Sequence, residues 1–318
     1  MRKSLAFFLT MCLMLLVFSG SGSATTFLNF GTGSPGGTYY PLGGAMADLW
    51  TKLIDDIDVT AESTAASVEN CRLTGSNEVQ LGMAMGDVAF KAYHGLVQFE
   101  GDKQPILALF SMYPAPQHFI SIDPDIKSVR DLKGKKVSVD APGSGCETLA
   151  RLIIEAAGLS YDDMQVSYYS QPEAAQAIKD KNIDALFYNF SYPGAAVQEI
   201  TAVRDVFFVP IDEDIIEKLT AEYGYYIAGV IPAGTYKGQD VDVPTIQVGN
   251  DVVINVNVDE ETAYLLTKTL FENAEELYNV HPSAKLLKPE NGVKTAIPLH
   301  PGSAKYFEEV GLGEFVRK

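Results

Sequence analysis

Two short segments carry the residue types that could hold a small charged molecule. Gly31-Thr32-Gly33-Ser34-Pro35-Gly36 follows a β-like run and precedes a helical one, and Pro142-Gly143-Ser144-Gly145-Cys146 opens a second helical segment. A helix start carries N–H groups with no partner inside the helix and a partial positive charge, so it attracts anions. Glycine beside it lets a ligand come close to the backbone. Two such starts facing across a cleft would hold a carboxylate without an arginine. The first segment also fits the G-x-G-x-x-G pattern of dinucleotide sites, but Pro35 removes an N–H that a phosphate cradle would use. A tight turn of purely structural use is a third reading. For Ser144, capping of its own helix is the simpler role, and it leaves other N–H groups free for a ligand. Micromolar binding needs about −8 kcal/mol. Roughly four or five hydrogen bonds to a charged group, at about 1.5–3 kcal/mol each, with apolar contact from Tyr39, Tyr188 or Tyr192, offset an association cost of at least ~4 kcal/mol.

Signals for catalysis are thin. His94, His118, His281 and His300 sit in neither H-x-x-x-H nor H-E-x-x-H spacing, which gives no support to a zinc site. Ser144 lacks the G-x-S-x-G frame, because Pro142 takes the place of the first glycine. No G-x-x-x-x-G-K-[ST] occurs. The residues therefore point to binding without turnover, with no metal and no cofactor.

Residues 1–24 read as a secretory leader. Arg2 and Lys3 precede an apolar run from Ser4 to Phe18, and Gly22 and Ala24 stand at the small-residue positions of a cleavage site. That run is shorter than the ~20 residues a membrane span needs. The expected mature chain starts near Thr25 and lies in the periplasm. The formal net charge of the full chain is −17 and the leader holds only basic residues, so the remainder is more acidic still. Such a chain disfavours nucleic acid and anionic membrane surfaces. Cys71 and Cys146 remain after the leader.

Short β-like runs alternate with helical segments, which indicates an α/β fold. Strands are expected at 26–30, 58–62, 79–85, 136–140, 164–169 and 184–188. Helices are expected at 39–53, after Ser67, after Asp87 as a cap, from Ser144 to about Gly158, at 172–180 and at 262–280. Ser144/Glu147 and Ser170/Glu173 both have capping-box spacing. The strand–loop–helix pattern occurs twice, around residues 26–115 and 134–210. The long extended runs 106–122 and 245–258 look like connectors crossing between two lobes, and clefts between lobes are where ligands bind. The expected lobes are residues 25–116 plus 246–318, and residues 117–245.

In order along the chain, Gly31-Thr-Gly-Ser-Pro-Gly-Gly-Thr-Tyr-Tyr-Pro41, Ser63-Thr-Ala-Ala-Ser-Val-Glu-Asn70, Gly86-Asp-Val-Ala-Phe-Lys-Ala-Tyr93, Leu132-Lys-Gly-Lys-Lys-Val137, Pro142-Gly-Ser-Gly145 and Pro193-Gly-Ala-Ala-Val-Gln-Glu199 resemble the TAXI family, the solute receptors of one class of TRAP transporters. The resemblance implies a two-lobed periplasmic-binding-protein type II-like fold that closes on one ligand. It implies a small acidic ligand or amino acid, such as glutamate, glutamine or a 2-oxo-dicarboxylate, and delivery to a TRAP membrane permease driven by an ion gradient. Carried to matching positions, the ligand contacts are Gly36, Gly37, Tyr39, Ser63, Ser67, Asn70, Gly143, Ser144, Gly145, Cys146 and the 188–192 loop with Tyr188, Ser191 and Tyr192. Asn70, one helical turn beyond Ser67, has bracing of the loop as its other role. Ala65, Ala66 and Ser191 stand where glycine is common in the family, and Cys146 where Ser or Thr is. On this reading Cys71 and Cys146 fall on different lobes, and a receptor that must open should keep both thiols free. Cys146, at a helix start, is expected to have a lowered pKa and to be the more reactive. A monomer is the expected state. A receptor of similar fold serving an ATP-driven importer, or a secreted enzyme on that fold, are the other readings.

Overall fold

The computed structural model describes residues 25–316; the leader expected at 1–24 lies outside them. Along the chain the elements are β1 (Thr26–Gly31), α1 (Tyr39–Leu53), β2 (Ile57–Glu62), α2 (Ser67–Gly75), β3 (Leu81–Met85), α3 (Gly86–His94), β4 (Ile106–Ser121), β5 (Lys136–Ser138), α4 (Gly145–Ala156), β6 (Gln165–Ser167), α5 (Gln171–Lys179), β7 (Ala185–Asn189), α6 (Ala195–Val203), β8 (Phe207–Phe208), α7 (Glu213–Glu222), β9 (Tyr226–Ile231), β10 (Val243–Asn255), α8 (Glu260–Glu272), α9 (Pro289–Gly292) and α10 (Pro301–Glu309).

The strands follow the order β2-β1-β3-β10-β4-β7-β5-β6. β1 pairs in parallel with β2 and β3, as β5 does with β6 and β7. These are two parallel cores, each with helices in its crossovers. β4 and β10 join them. The first part of β4 pairs antiparallel with β10, and its last residues, Gln117–Ser121, pair with β7. β10 in turn pairs with β3 from Asn250 to Ile254 and with β9 from Val243 to Val248. These are the two long runs expected as connectors. The expected lobe limits at residues 116 and 245 fall inside them.

The apolar core explains why the elements hold these places. Trp50 of α1 is fully buried against Phe30 and Phe110, and its indole N–H donates to the carbonyl of Leu266 in α8 at 2.9 Å. Buried Trp and Tyr need such a partner for their one polar atom. A separate apolar cluster of Ile120, Ala174, Ile178, Leu186, Val197, Ile200 and Ile231 lies under α5 and α6.

The Ser170/Glu173 capping box is complete. The Ser144/Glu147 box is half made: Ser144 Oγ accepts the N–H of Glu147, while the Glu147 carboxylate turns away to Arg151 and Tyr161. Two expectations need correction. Asp87 does not cap α3. Met85 holds the cap position, and Asp87 lies inside the helix as a buried carboxylate that accepts from Lys91 at 2.9 Å and from the Tyr226 hydroxyl at 2.7 Å. The helix expected at 262–280 ends at Glu272, because Asn273 leaves helical geometry, and a 3-10 turn follows at Ala274–Leu277. Among the described residues no helix is long and apolar enough to cross a membrane.

Candidate functional site

Helices α1, α2, α4 and α5 all begin at one cavity, beyond the carboxyl ends of the parallel strands. In open α/β sheets that is where ligands sit. The cavity is small, about 40 Å³, and is lined by Gly33, Ser34, Gly37, Thr38 and Tyr39, by Ala66, Ser67 and Met85, and by Asp140, Ser144, Gly145, Cys146, Gln171, Asn189 and Phe190. The glycine segment and the 142–146 turn thus reach the same space from opposite halves.

The halves meet closely around it. The carbonyl of Gly36 accepts the N–H of Ala196 at 3.2 Å, and Thr38 Oγ1 donates to the carbonyl of Ser191 at 3.3 Å. A Cβ on Gly37 would stand 2.5 Å from Gln171 Oε1, and one on Gly145 would stand 2.7 Å from Ser67 Oγ and nearer still to Met85 Sδ. These glycines are where the halves touch, so a side chain there would wedge them apart.

Of the residues expected from sequence, Gly37, Tyr39, Ser67, Ser144, Gly145 and Cys146 line the cavity. Tyr39 donates its hydroxyl to Asn250 Oδ1 on β10, which fixes the ring against the wall. Ser67 Oγ accepts the N–H of Met85 at 3.0 Å. Ser144 caps α4 through Glu147; among the described residues this leaves the N–H groups of Gly145 and Cys146, the first two of that helix, without a protein acceptor.

The other expected residues sit around the cavity without lining it. Gly36 packs against Gln171. Ser63 Oγ donates to the carbonyl of Gly33 at 3.0 Å and so shapes the glycine loop. Gly143 gives its carbonyl to the first turn of α2. Ser191 receives Thr38 through its carbonyl. Tyr192 is half-buried against the smaller apolar cluster. Asn70 is fully buried; its amide donates to the carbonyls of Thr32 and Met83 at 2.7 Å, and its oxygen accepts from Thr64 Oγ1 at 2.7 Å. It ties the loops after β1 and β2 to strand β3, which is the bracing role. Tyr188, expected as a contact, is fully buried between His118 and Phe190, and its hydroxyl donates to the Gln171 carbonyl at 2.7 Å. Both faces of β7 are covered, so an aromatic side chain there is core whichever way it points.

The thiol expectation is overturned in one respect. Cys71 and Cys146 are both free. Cys146, however, is buried, and desolvation together with the neighbouring Asp140 carboxyl raises its pKa well above the usual thiol range. Loss of water outweighs the pull of the helix start.

Residues that sequence reasoning missed are Asp140 and Gln171; Asn189 and Phe190 fall in the 188–192 loop it named, without being singled out. Asp140 is the only ionisable carboxyl on the cavity wall. It is buried, and its backbone has φ +76°, a region that ordinarily suits glycine, asparagine or aspartate. Its oxygens accept the N–H of Ala141 at 2.7 Å and Gln171 Nε2 at 3.4 Å. Desolvation still prevails and pushes its pKa up to about 6, against those bonds and one from the Cys146 thiol. Strand ends following a β-run were the signal that could have found Asp140 and Asn189. Among the described residues no cluster of His, Cys, Asp or Glu could hold a metal ion. His118 is a core histidine: Nδ1–H donates to the Pro116 carbonyl at 3.1 Å and Nε2 accepts from the Tyr236 hydroxyl at 2.9 Å. Burial lowers its pKa to about 3.

A model of the NMT1-like family matches residues 30–311. Among solved structures, PhnD1 from Prochlorococcus marinus, in complex with methylphosphonate, is 11% identical with a TM-score of 0.53, over 82% of this chain and 88% of that one. A protein from Bordetella bronchiseptica is 17% identical with a TM-score of 0.53, over 91% and 82%. The periplasmic aliphatic sulphonate binding protein SsuA from Escherichia coli is 16% identical with a TM-score of 0.47, over 89% and 78%. This chain therefore belongs to the NMT1-like family and has the α/β periplasmic-binding-protein type II fold.

Proposed function

We propose that the protein is an extracytoplasmic solute-binding receptor that captures a small carboxylate or amino acid between its two halves and hands it to a membrane transporter. The observation that carries this reading is the convergence of four helix starts from both halves on one cavity. A guest held by both halves favours the closed arrangement over the open one, so capture and closure are one equilibrium. The stretches resembling TAXI receptors support a TRAP permease as the partner and the periplasm as the location.

Native mass spectrometry of the protein purified from its host tests the reading. A small acid or amino acid should be released intact on denaturation, and it should raise Tm when added back. Protein that carries no such compound and shows no shift across amino acids and dicarboxylates would sink the proposal. Reconstitution with the neighbouring membrane genes then separates the transporter classes: uptake should follow an ion gradient and not require ATP.

A further inference from the structure

The notable feature of the cavity is which charge it lacks. Among the described residues its wall holds no lysine, arginine or histidine, yet it holds a buried carboxyl, Asp140. Two buried side-chain oxygens beside it also lack donors. Asn189 Oδ1 is buried with no partner, although Asn189 Nδ2 donates to the Ala115 carbonyl. Just behind the wall, Gln117 is almost wholly buried; its Nε2 meets Cys146 Sγ at 3.4 Å while its Oε1 has no partner. A buried oxygen without a donor is costly, and its partial negative charge adds to that of Asp140 beside the cavity. Donors left on the wall include the N–H groups of Gly145 and Cys146 at the start of α4, next to Asp140 through the Cys146 thiol, and those of Ser34 and Tyr39 on the glycine-loop side.

We infer that the guest carries a protonated amine, held by the Asp140 carboxylate, together with a carboxylate received at the start of α4. The ligand class is thus an α-amino acid zwitterion rather than a 2-oxo acid or an amine-free dicarboxylate. The inference rests on the receptor reading above and names its ligand. A wholly anionic guest would face Asp140 in a dry space with no cation on the wall to offset the repulsion. A zwitterion presents opposite charge at both ends.

Asp140 also sets the pH response. The other titratable groups against it are the Cys146 thiol on α4 and the Tyr188 phenol on β7, both raised by burial and neutral at ordinary pH; Gln171 on α5 is neutral, and Glu147 lies one step further along α4. An ammonium guest needs Asp140 ionised, and its pKa before binding is about 6. Affinity should therefore weaken about tenfold between pH 7.5 and pH 5.

Calorimetric titration of the ligand-stripped protein with each common amino acid and its matching 2-oxo acid is the test, run on wild type and Asp140→Asn. Asparagine keeps the shape and tolerates the positive φ. In wild type the best amino acid should bind at least tenfold tighter than its 2-oxo counterpart, with the stated pH loss. Asp140→Asn should melt cooperatively, lose that preference and bind equally at both pH values. A 2-oxo acid that binds wild type as tightly as the amino acid, or a preference that survives in Asp140→Asn, overturns this inference and leaves the receptor reading standing. If neither class binds wild type, the receptor reading fails and this inference with it.

Discussion

The carbonyl oxygen of Gly143 accepts the backbone N–H of Val68 at 3.1 Å, from the opposite half of the molecule. It also accepts that of Glu69 at 3.3 Å. Both belong to the first turn of α2, where no partner exists within the helix. The cap position is Ala66, which has no side-chain acceptor. A peptide group of the second half therefore does the capping, and it can do so only while the halves are together. On the other side of the cavity, Gly36 offers the same service to Ala196 at the start of α6. Closure and the satisfaction of two helix starts are one event.

Gly145 tests that coupling. A side chain there meets Ser67 and Met85 across the cleft. Gly145→Val should hold the halves apart, enlarge the radius of gyration in small-angle scattering with ligand present, and weaken binding tenfold or more. The melting temperature without ligand should change little, since the wedge acts between halves rather than within one. A variant that closes on ligand as wild type does would show that the contact yields.

Ala66 carries strain that sequence comparison hinted at. Its φ is +72° with ψ −137°, a region in which a Cβ is unfavourable. Ala66→Gly should stabilise the protein by about 1 kcal/mol in urea unfolding, the relief of strain exceeding the added flexibility of the unfolded chain. A loss of stability would mean that the Ala66 methyl, at the cavity wall, packs well enough to offset its backbone.

The elements were legible because their signals are local. The Ser144 and Ser170 caps, the period-two runs and the glycines before helix starts each act within a few residues of where they stand. The cavity was legible in its helix starts for the same reason. It was not legible in Asp140 and Gln171, which become neighbours only when separate strands end at one place. Tyr188 shows the converse: it stands near the end of a strand as a ligand contact would, but β7 is covered on both faces and the ring is core. Asp87 looked like a cap because aspartate often is one; its partner, Tyr226, lies far along the chain and cannot be read from residue 87.

The thiols offer a simple check on burial. A chain starting near Thr25 should show no reaction of Cys71 or Cys146 with a disulfide reagent at pH 8 while folded, and two reactive thiols in denaturant. Burial raises both thiols far above their usual range and removes access. Fast labelling of Cys146 in the free protein, quenched by ligand, would instead report an open form that exposes it. A bridge between the two in non-reducing mass spectrometry would contradict the free pair.

Asp140 should leave its mark on stability even without a ligand. Its pKa is about 6 in the folded chain, above the 3.8 of an ordinary aspartate in the unfolded one. Between those values the folded state binds the extra proton, so stability from this group falls as pH rises through the window. Below about pH 4 the group is neutral in both states and costs nothing; above about pH 6 the full penalty applies, on the order of 3 kcal/mol. His118 acts in the opposite sense, because its pKa is lowered to about 3 and acid favours the unfolded state below its usual range. The raw profile of wild type mixes the two, and the difference between wild type and Asp140→Asn separates them. That variant should be the more stable at pH 7.5 by up to about 3 kcal/mol in urea, with the gain shrinking to near zero by pH 4. A gain that stays constant with pH would mean that Asp140 acts through backbone or packing and that its charge is not confined in the cavity. A loss at pH 7.5 would mean that the Ala141, Gln171 and Cys146 donors already hold the carboxylate better than water does, leaving it little need of an ammonium guest.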